Sequence, residues 1–466
     1  MGLRRGSSIV QSIILMADFD LVVEGGTVVT GRSRARLHVH VRDGRIVALT
    51  PERAGAAAET VDAAGLLVLP GMVDTHVHLM DPGPVDREDF PTGTGAAAAA
   101  GVTTVLEHTH AHPVRTVDDL RDKRAHLRGR ANVDYGLAAH AWPGLDGQVE
   151  PLWRAGVAFF KAFTCTTHGV PGHDAALLRR HLEAAARAGA VTLLHCEDER
   201  LTAEAERLLR AAGRDDGGVI PAWRNREAEL VAVAVAALLT RLSGARATIA
   251  HVSSPEAAAL VARERAAGAA LAAEACPQYF LLREAEVLEL GALRKFTPPA
   301  RARSDADEDD MWRLLHAGGL THMASDHAPS TLAHKREGGI WDAHFGLPGL
   351  DSTMALLLDA AARGRLALED VVRVYAEAPA RWYGLAPDKG TIAPGADADF
   401  VLVDPNETRT LRDADVRSKA GWTPYAGREV AGRVVRTYLR GRLVAEDGKP
   451  LDQRPGRFVP GAGYRP

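Results

Sequence analysis

The sequence predicts an α/β fold in which a (β/α)8 TIM barrel carries a small β-sandwich domain formed by both chain termini. Three observations support this: a length of 466 residues, a long middle region where short apolar runs alternate with helical periodicity, and β-rich segments at both ends. A barrel needs about 250 residues, so a smaller satellite also fits. The predicted boundaries are 1–15 for an N-terminal extension, 16–70 and 386–466 for the two sandwich parts (the second with a C-terminal tail), and 71–385 for the barrel.

Short β-rich segments, separated by Gly, Asp and Arg turns, occupy both flanks of the chain. In the N-terminal flank they are Leu21–Glu24, Thr27–Val29, Leu37–Val41 and Arg45–Leu49. In the C-terminal flank they are Phe400–Val403, Arg433–Arg440 and Arg442–Ala445. Because the flanks are alike and enclose a different middle region, we expect them to form one small β domain.

The middle region repeats a strand and a helix. Stretches with helical period, such as Asp174–Gly189 and Pro255–Gly268, lie between short apolar runs. Such repeats imply a parallel sheet, open or closed, and eight runs favour the closed barrel. The runs are Val68–Val73, Val102–Leu106, Tyr135–Ala139, Val157–Phe160, Ala190–Leu194, Ala247–Ala250, Leu271–Ala273 and Leu320–Ala324.

Composition and charge exclude several classes of protein. Lys+Arg number 56 and Asp+Glu 60, a net charge of −4, which leaves no basic footprint for nucleic acid. No apolar run has the ~18 residues of a membrane span. The longest, Leu230–Leu239, is flanked by charge and predicts a buried helix. Three scattered cysteines argue against a disulfide framework, and residues 1–15 make a poor signal peptide, so we expect a cytoplasmic protein.

Polar side chains that can bind metal follow the predicted barrel strands, at the edge where barrel enzymes place catalytic residues. Two of them, His76 and His78, are two residues apart and so point to one side of an extended chain. Singly, each residue has an ordinary explanation: a core histidine, a lysine with a buried stem or an aspartate capping a helix. Their agreement on one barrel face predicts a metal centre. The set is His76, His78, Lys161, His195, His251 and Asp326.

Lys161 predicts a centre with two metal ions. A buried lysine has a depressed pKa, so its neutral amine can add carbon dioxide. The resulting lysine carbamate is an anion with one oxygen for each of two neighbouring ions. Without it, four imidazoles and one carboxylate leave such a pair under-neutralised and unbridged. Histidine and carboxylate ligands favour Zn²⁺, although Mn²⁺, Co²⁺ or Fe²⁺ can substitute.

Longer motifs are spread over nearly the whole chain: PGMVDTHVH, FFKAF, LLHCEDERL, IAHVSSPEA, EACPQYF, TPPARAR, SDHAP and KGTIAPGADADFVLVDP. Together they resemble the cyclic amidohydrolases of the amidohydrolase superfamily, the group of allantoinases, hydantoinases/dihydropyrimidinases and dihydroorotases, with allantoinase the most similar. The resemblance implies a barrel with a terminal β-sandwich and a binuclear centre. It assigns one metal to His76, His78, carboxylated Lys161 and Asp326, and the other to Lys161, His195 and His251.

The resemblance also implies a reaction, the opening of a cyclic amide or ureide ring. In that family mechanism a metal-bridging hydroxide attacks the ring carbonyl, and Asp326 moves the proton to the leaving nitrogen. Contacts with the ureide edge are expected at Thr297 and at the turn formed by Phe345 and Gly346. The expected partners are a small cyclic amide and further copies of the chain, as a dimer or tetramer, without nucleic acid or membrane.

Three positions bear on which ring is opened. Where dihydroorotases have residues that recognise the substrate carboxylate, this chain has Met80, His110 and Ser330. Losing a bidentate arginine contact costs ~2–3 kcal/mol, so dihydroorotate is expected to be a poor substrate beside an allantoin- or hydantoin-like ring. The alternation of His108, His110 and His112 predicts either one polar pocket wall or a solvated loop.

Three alternative functions stay open at this point. One is a dihydroorotase, and another is an acyclic amidase or N-acyl-amino-acid hydrolase on the same scaffold. The third is a non-catalytic scaffold like the dihydropyrimidinase-like proteins that have lost metal ligands. The presence of all six ligand types favours an enzyme over the scaffold.

Overall fold

The computed structural model describes residues 17–466, which fold into three β-sheets of nine, six and three strands, covered by helices. The predicted extension 1–15 lies outside the described residues. Across 17–466, no helix is long and apolar enough to cross a membrane. The three cysteines, Cys165, Cys196 and Cys276, are buried and free.

The strands and helices alternate through the middle of the chain, as predicted. The strands are β1 (Phe19–Val29), β2 (Arg34–Arg42), β3 (Arg45–Thr50), β4 (Ala57–Asp62), β5 (Leu67–Pro70), β6 (Met72–Val77), β7 (Val102–Glu107), β8 (Asp134–Leu137), β9 (Ala139–His140), β10 (Phe160–Phe163), β11 (Val191–His195), β12 (Arg246–Ile249), β13 (Ala270–Ala275), β14 (His322–Met323), β15 (Phe400–Thr410), β16 (Glu429–Leu439), β17 (Arg442–Glu446) and β18 (Lys449–Pro450). The helices are α1 (Phe90–Ala99), α2 (Val117–Leu127), α3 (Val149–Ala155), α4 (Ala175–Ala188), α5 (Glu199–Ala211), α6 (Val219–Trp223), α7 (Arg226–Ser243), α8 (Pro255–Ala266), α9 (Gln278–Leu281), α10 (Glu284–Leu290), α11 (Asp305–His316), α12 (Leu332–Arg336), α13 (Leu350–Ala362), α14 (Leu368–Val372) and α15 (Ala378–Trp382).

The nine-stranded sheet combines both ends of the described chain. Its order is β18-β17-β16-β15-β5-β1-β2-β3, with β4 also paired to β1. The junction between the two ends is the antiparallel pair of β5 and β15. Two predicted strands, Leu21–Glu24 and Thr27–Val29, are one strand here, because a bulge with Gly25 at φ 69° lets the pairing with β2 continue. Strand β4 was not predicted, since its sequence AAETVD is only weakly apolar.

The other two sheets are parallel and carry the functional residues. The six-stranded sheet has the order β14-β13-β12-β11-β10-β9, and the three-stranded sheet the order β6-β7-β8. Only Ala138 separates β8 from β9. The opposite edges of these two sheets are β6 and β14. There Val77 of β6 forms a parallel bridge with His327, which follows β14, and His78 N donates a hydrogen bond to His327 O at 2.8 Å.

The predicted strand Val68–Val73 is divided between two sheets. Its first part belongs to β5 of the nine-stranded sheet and its second part to β6 of the parallel sheet. The change occurs at Gly71, whose N–H donates to Asp399 O at 2.9 Å. A Cβ at Gly71 would overlap the side chain of Thr103. Glycine therefore allows the close approach that carries the chain from one sheet to the other.

Helix α7 corrects one expectation from the sequence. It begins after Asn225, whose side chain accepts from Ala228 N, and ends at Gly244 in the left-handed region at φ 68°. The predicted buried segment Leu230–Leu239 lies within it, but only one face is buried. The opposite face is about 40% exposed, because apolar residues recur on both sides of the helix. The exposed residues are Val231, Val235 and Leu238.

Candidate metal centre and cavity

Six side chains predicted to bind metal line one cavity of about 290 Å³. Each lies in, or closely follows, a parallel strand: one histidine in β6 and one just after it, the lysine in β10, one histidine at the end of β11, one just after β12, and the aspartate after β14. All six are buried apart from a small exposed part of the aspartate. The structure therefore brings together His76, His78, Lys161, His195, His251 and Asp326.

Asp326 lies beside the first histidine pair. Its Oδ1 is 3.2 Å from His76 Nε2 and 3.5 Å from His78 Nε2. The Nζ of Lys161 is 3.3 Å from His76 Nε2. Two imidazole nitrogens, a carboxylate oxygen and an amine thus face one another, and this set of donors fits a divalent cation.

His195 and His251 form the second pair, with His195 Nδ1 3.0 Å from His251 Nε2. Burial lowers the pKa of both rings, so both are neutral at neutral pH and carry a lone pair. Such facing lone pairs, with the Lys161 amine on the same cavity wall, fit a second divalent cation.

Buried carboxylates fix the orientation of two of these histidines. His76 Nδ1 lies 2.6 Å from Glu274 Oε1, and His195 Nε2 lies 2.9 Å from Glu197 Oε2. A ring nitrogen facing a carboxylate carries the proton, so the other nitrogen keeps its lone pair for the cavity. Neither carboxylate was predicted from the sequence.

Glu197 is the centre of a buried ionic network. It accepts from Arg224 Nη1 at 3.3 Å, Arg301 Nη2 at 3.0 Å and Thr297 Oγ1 at 2.7 Å. Burial opposes ionisation of Glu197, but Arg224, His195 and Arg301 outweigh it and hold its pKa below the ordinary value. The hydroxyl of Thr297 is therefore committed to Glu197.

Two of the six predicted metal-binding residues have left-handed backbone, Asp326 at φ 49° and His251 at φ 37°. Such conformations are costly outside glycine and persist where the surroundings hold them. Before Asp326, the N–H of Ser325 donates to the buried carboxylate of Asp74 at 3.1 Å, and Tyr375 donates its hydroxyl to the same carboxylate at 2.7 Å. These contacts hold the backbone that presents Asp326.

The charge states of Lys161 and Asp326 follow from burial and from their neighbours. Burial lowers the pKa of Lys161 to about 8, so a fraction of the amine is neutral near physiological pH. Burial opposes ionisation of Asp326, but His76, His78 and Lys161 outweigh it and lower its pKa. The site thus combines an available amine with an ionised carboxylate.

Comparison with known proteins decides the family. The family model described as "Amidohydrolase family" matches residues 67–444, a span that contains all six side chains of the site. The chain belongs to the amidohydrolase family. Membership implies the use of a divalent metal ion, in agreement with the donor set found here.

Relatives of this amidohydrolase have names from one branch of the family. The allantoinase of Rubrobacter xylanophilus is 39% identical over 450 residues, covering 95% of this chain and 98% of that one. The allantoinase of Escherichia coli O1:K1 / APEC is 33% identical, covering 95% and 98%. The solved L-hydantoinase (dihydropyrimidinase) from Arthrobacter aurescens superimposes with a TM-score of 0.89 at 29% identity, covering 96% and 99%. The resemblance to cyclic amidohydrolases is thereby confirmed.

The predicted substrate contacts of the amidohydrolase fall into two groups. Five of them line the cavity: Met80, His110, Thr297, Phe345 and Gly346. Ser330 does not line it; this residue is buried, and its Oγ accepts a hydrogen bond from Arg87 Nε at 3.0 Å.

The three alternating histidines do not form one wall. Only His110 lines the cavity, because the chain turns after Thr109 and leaves His112 exposed. His108 packs behind the site, with its ring centroid 4.6 Å from that of His76. The backbone oxygen of His108 lies 3.0 Å from His78 Nδ1. The expectation that alternation places all three on one side is therefore wrong.

Other cavity residues of this amidohydrolase were not predicted from the sequence: Arg87, His168 and His344. They lie in loops, where no periodicity indicates which way a side chain points. Glu274 had a usable signal, since it is the one charged residue within the buried strand β13.

Proposed function

We propose that this amidohydrolase opens a cyclic amide or ureide ring, allantoin- or hydantoin-like, by metal-dependent hydrolysis. The observation that carries the proposal is the convergence of four imidazoles, a lysine and a carboxylate on one cavity. The names of the relatives, allantoinase and hydantoinase, support this class of substrate over dihydroorotate or an acyclic amide.

We propose two metal ions, both Zn²⁺, held by the predicted side chains. When bound, they supply Lewis acidity that lowers the pKa of water and polarises the amide carbonyl. One ion is assigned to His76, His78, Lys161 and Asp326, and the other to Lys161, His195 and His251.

Lys161 contributes as a carbamate in this proposal. Its neutral amine nitrogen forms a bond to the carbon of carbon dioxide and loses a proton to solvent, which gives an anion with two oxygens. The pKa of about 8 provides the neutral amine that this addition needs.

Asp326 moves the proton that ring opening requires. Hydrolysis adds a hydroxyl to the carbonyl carbon, breaks the carbon–nitrogen bond and delivers one proton to the nitrogen. Because His76 and His78 favour its ionised form, Asp326 accepts the proton that water gives up. Once protonated, it returns that proton to the leaving nitrogen.

We also propose that the two parallel sheets close into one (β/α)8 barrel and that the nine-stranded sheet forms a β-sandwich. The pairing of Val77 with His327 supports closure, and the change of sheet at Gly71 supports domain boundaries of 16–70, 71–385 and 386–466. A cytoplasmic location and a homodimer or homotetramer complete the proposal.

A substrate panel tests the function. The full chain, loaded with Zn²⁺ in the presence of bicarbonate, is assayed with allantoin, hydantoin, dihydrouracil, dihydroorotate and an N-acyl amino acid. We expect a neutral ureide to be opened fastest and Asp326→Asn to lose that activity. Hydrolysis of the acyclic amide alone would contradict the proposal.

A further inference from the structure

Arg87 lines the cavity without an ionic partner among residues 17–466. Its Nε donates to Pro329 O and Ser330 Oγ, both at 3.0 Å, and its Nη2 lies 3.5 Å from Phe345 O. No hydrogen bond within the described chain uses its Nη1. The adjacent carboxylate, Asp86, pairs instead with His334 at 3.2 Å.

Two buried arginines nearby are different. Arg224 pairs with Glu197 at 3.3 Å, and Arg301 pairs with both Glu197 and Glu229 at 3.0 Å. Arg87 is partly buried, and a guanidinium that loses hydration without gaining an anion is destabilised. Burial lowers the pKa of Arg87 to about 10, and only Asp86 opposes that shift. A ligand in the cavity can supply the missing acceptor.

The cavity wall that contains Arg87 carries little negative charge. Asp326 is the only carboxylate among the cavity-lining residues of the described chain, and it lies against the metal-binding histidines. His344 lies on the cavity wall, and the Nζ of Lys335 donates to His344 O at 2.8 Å. Because the guanidinium of Arg87 offers only N–H donors, a ligand group that contacts it needs oxygen acceptors.

We propose that Arg87 determines specificity by binding an oxygen-bearing substituent of the ring, either a ureido carbonyl or a carboxylate. The inference rests on the proposed ring-opening function and adds the substituent to it. A guanidinium presents coplanar N–H donors that match planar oxygen acceptors. Its Nε contacts to Pro329 and Ser330 fix the side chain and leave Nη1 for the ligand.

Arg87 also bears on which ring the cavity binds. The sequence indicates that the arginine of the dihydroorotase motif is replaced by Met80. Arg87 brings a different guanidinium to the same cavity. The cavity can therefore bind a substituent that the first motif alone would not hold.

The test uses three compounds with one ring: hydantoin, allantoin, which adds a ureido group, and hydantoin-5-acetate, which adds a carboxylate. We compare kcat and KM of the Zn²⁺-loaded wild type and Arg87→Met. We expect kcat/KM to fall about ten- to hundredfold, mainly through KM, for at least one substituted ring, with hydantoin changed by less than about threefold. If kcat/KM falls for allantoin, Arg87 binds the neutral ureido group. If it falls for hydantoin-5-acetate, Arg87 binds the anionic carboxylate. An equal loss for all three, or no loss, overturns the proposal.

Two further variants separate recognition from structure. Arg130 lies outside the cavity and pairs at 2.6 Å with Asp81 of the loop that carries Arg87, so Arg130→Met should leave the ratio of allantoin to hydantoin activity unchanged. Arg87→Lys keeps the charge but loses the planar fork, and should also lower that ratio. If Arg87→Met has a lower melting temperature than the wild type, the ratio measured with Arg87→Lys tests the proposal instead.

Calorimetric binding of the same compounds distinguishes the two proposals. If the wild type opens none of the rings, the proposed function fails. In that case the role of Arg87 is still supported if the wild type binds a substituted ring more tightly than hydantoin and Arg87→Met abolishes this preference. The role is refuted if the wild type shows no such preference.

Discussion

At the scale of single residues, three of the four predicted metal-binding histidines, His76, His78 and His195, use one ring nitrogen for a buried oxygen and keep the other for the cavity. Glu274 does this for His76 and Glu197 for His195. Burial opposes ionisation of Glu274, but His76 and His322 outweigh it and hold its pKa below the ordinary value. An ionised partner raises the basicity of the imidazole, which strengthens metal binding.

Glu274→Gln tests this contribution. The amide keeps the shape of the side chain but loses its charge, so we expect metal affinity to fall about 10- to 100-fold while the fold is retained. Titration of the metal-free protein with Zn²⁺ measures the change. Glu264→Gln is the control, because that carboxylate pairs with Arg241 between helices α7 and α8, away from the cavity. Equal affinities of the two variants would contradict the assignment.

Lys161→Ala tests the carbamate. Removing the bridge should abolish ring opening and release most of the metal, because the remaining donors under-neutralise two cations. Short carboxylic acids in the medium should restore part of both by supplying a replacement anion. Elemental analysis and turnover are measured on the same samples. Unchanged activity in Lys161→Ala would refute the role of the lysine.

At the scale of elements, loops after the strands shape the cavity. Gly346 has φ 109°, and a Cβ there would overlap the backbone oxygen of Ala328 in the loop after β14. Glycine is therefore required at this position for two reasons: the positive φ and the close approach of the Ala328 backbone.

Gly346→Ala should displace this loop and raise KM for the ring substrate, with a loss of stability of about 1–3 kcal/mol. Gly364→Ala is the matched control, because its φ of 73° carries the same kind of strain but a Cβ there contacts nothing within 4 Å. Kinetics and thermal melting of both variants separate backbone strain from the steric overlap. A KM effect in both variants would show that the overlap is not the cause.

Sequence periodicity predicted the elements better than their boundaries or their loops. The buried runs at Val102–Leu106 and Ala190–Leu194 correspond closely to β7 and β11, because a parallel strand buried on both faces is continuously apolar. The run at Val157–Phe160 was predicted too early, since β10 begins only at Phe160 and includes Lys161. A lysine interrupts the apolar pattern, although its side chain is buried.

The side chains at strand ends were predictable for the same reason, because a strand fixes the direction in which each one points. Arg87 was not predictable, since it lies in the loop between β6 and α1 and its position depends on contacts with Pro329 and Ser330, far along the chain. Such contacts are set by tertiary structure and leave no local pattern.

At the scale of the whole molecule, one buried lysine joins the two structural parts. Lys389 Nζ lies 2.6 Å from Asp134 of β8, 2.9 Å from Asp397 and 2.7 Å from Asp399, both of which precede β15. Although the three carboxylates resemble a metal site, side-chain cations already occupy it, because Arg440 pairs with Asp134 and Arg45 with Asp397 in addition to Lys389. The aspartates raise the pKa of Lys389 despite its burial, so the cation persists throughout the neutral range.

Lys389→Met should lower the free energy of unfolding by about 3–5 kcal/mol at pH 7, because Asp399 then stays buried without an ionic partner among residues 17–466, while Asp134 keeps Arg440 and Asp397 keeps Arg45. Burial already holds the pKa of Asp399 above its ordinary value although Lys389 lowers it, so without the cation that pKa rises further. The deficit should therefore shrink as the pH falls towards 5 and a proton neutralises Asp399. Thermal melting at both pH values measures this. Lys419→Met, which removes a partly exposed pair with Asp89, is the control and should cost at most about 1 kcal/mol.

Two ions held by this donor set are proposed to enable ring opening, and one titration that follows metal occupancy and turnover together tests this most directly. Metal-free protein receives Zn²⁺ in steps with bicarbonate, and each sample is assayed for bound metal per chain and for opening of allantoin and hydantoin. We predict activity that rises with occupancy, levels off near about two ions per chain and disappears with a chelator. A chain that holds two ions and opens neither ring, or one that stays active after its metal is removed, would contradict the account.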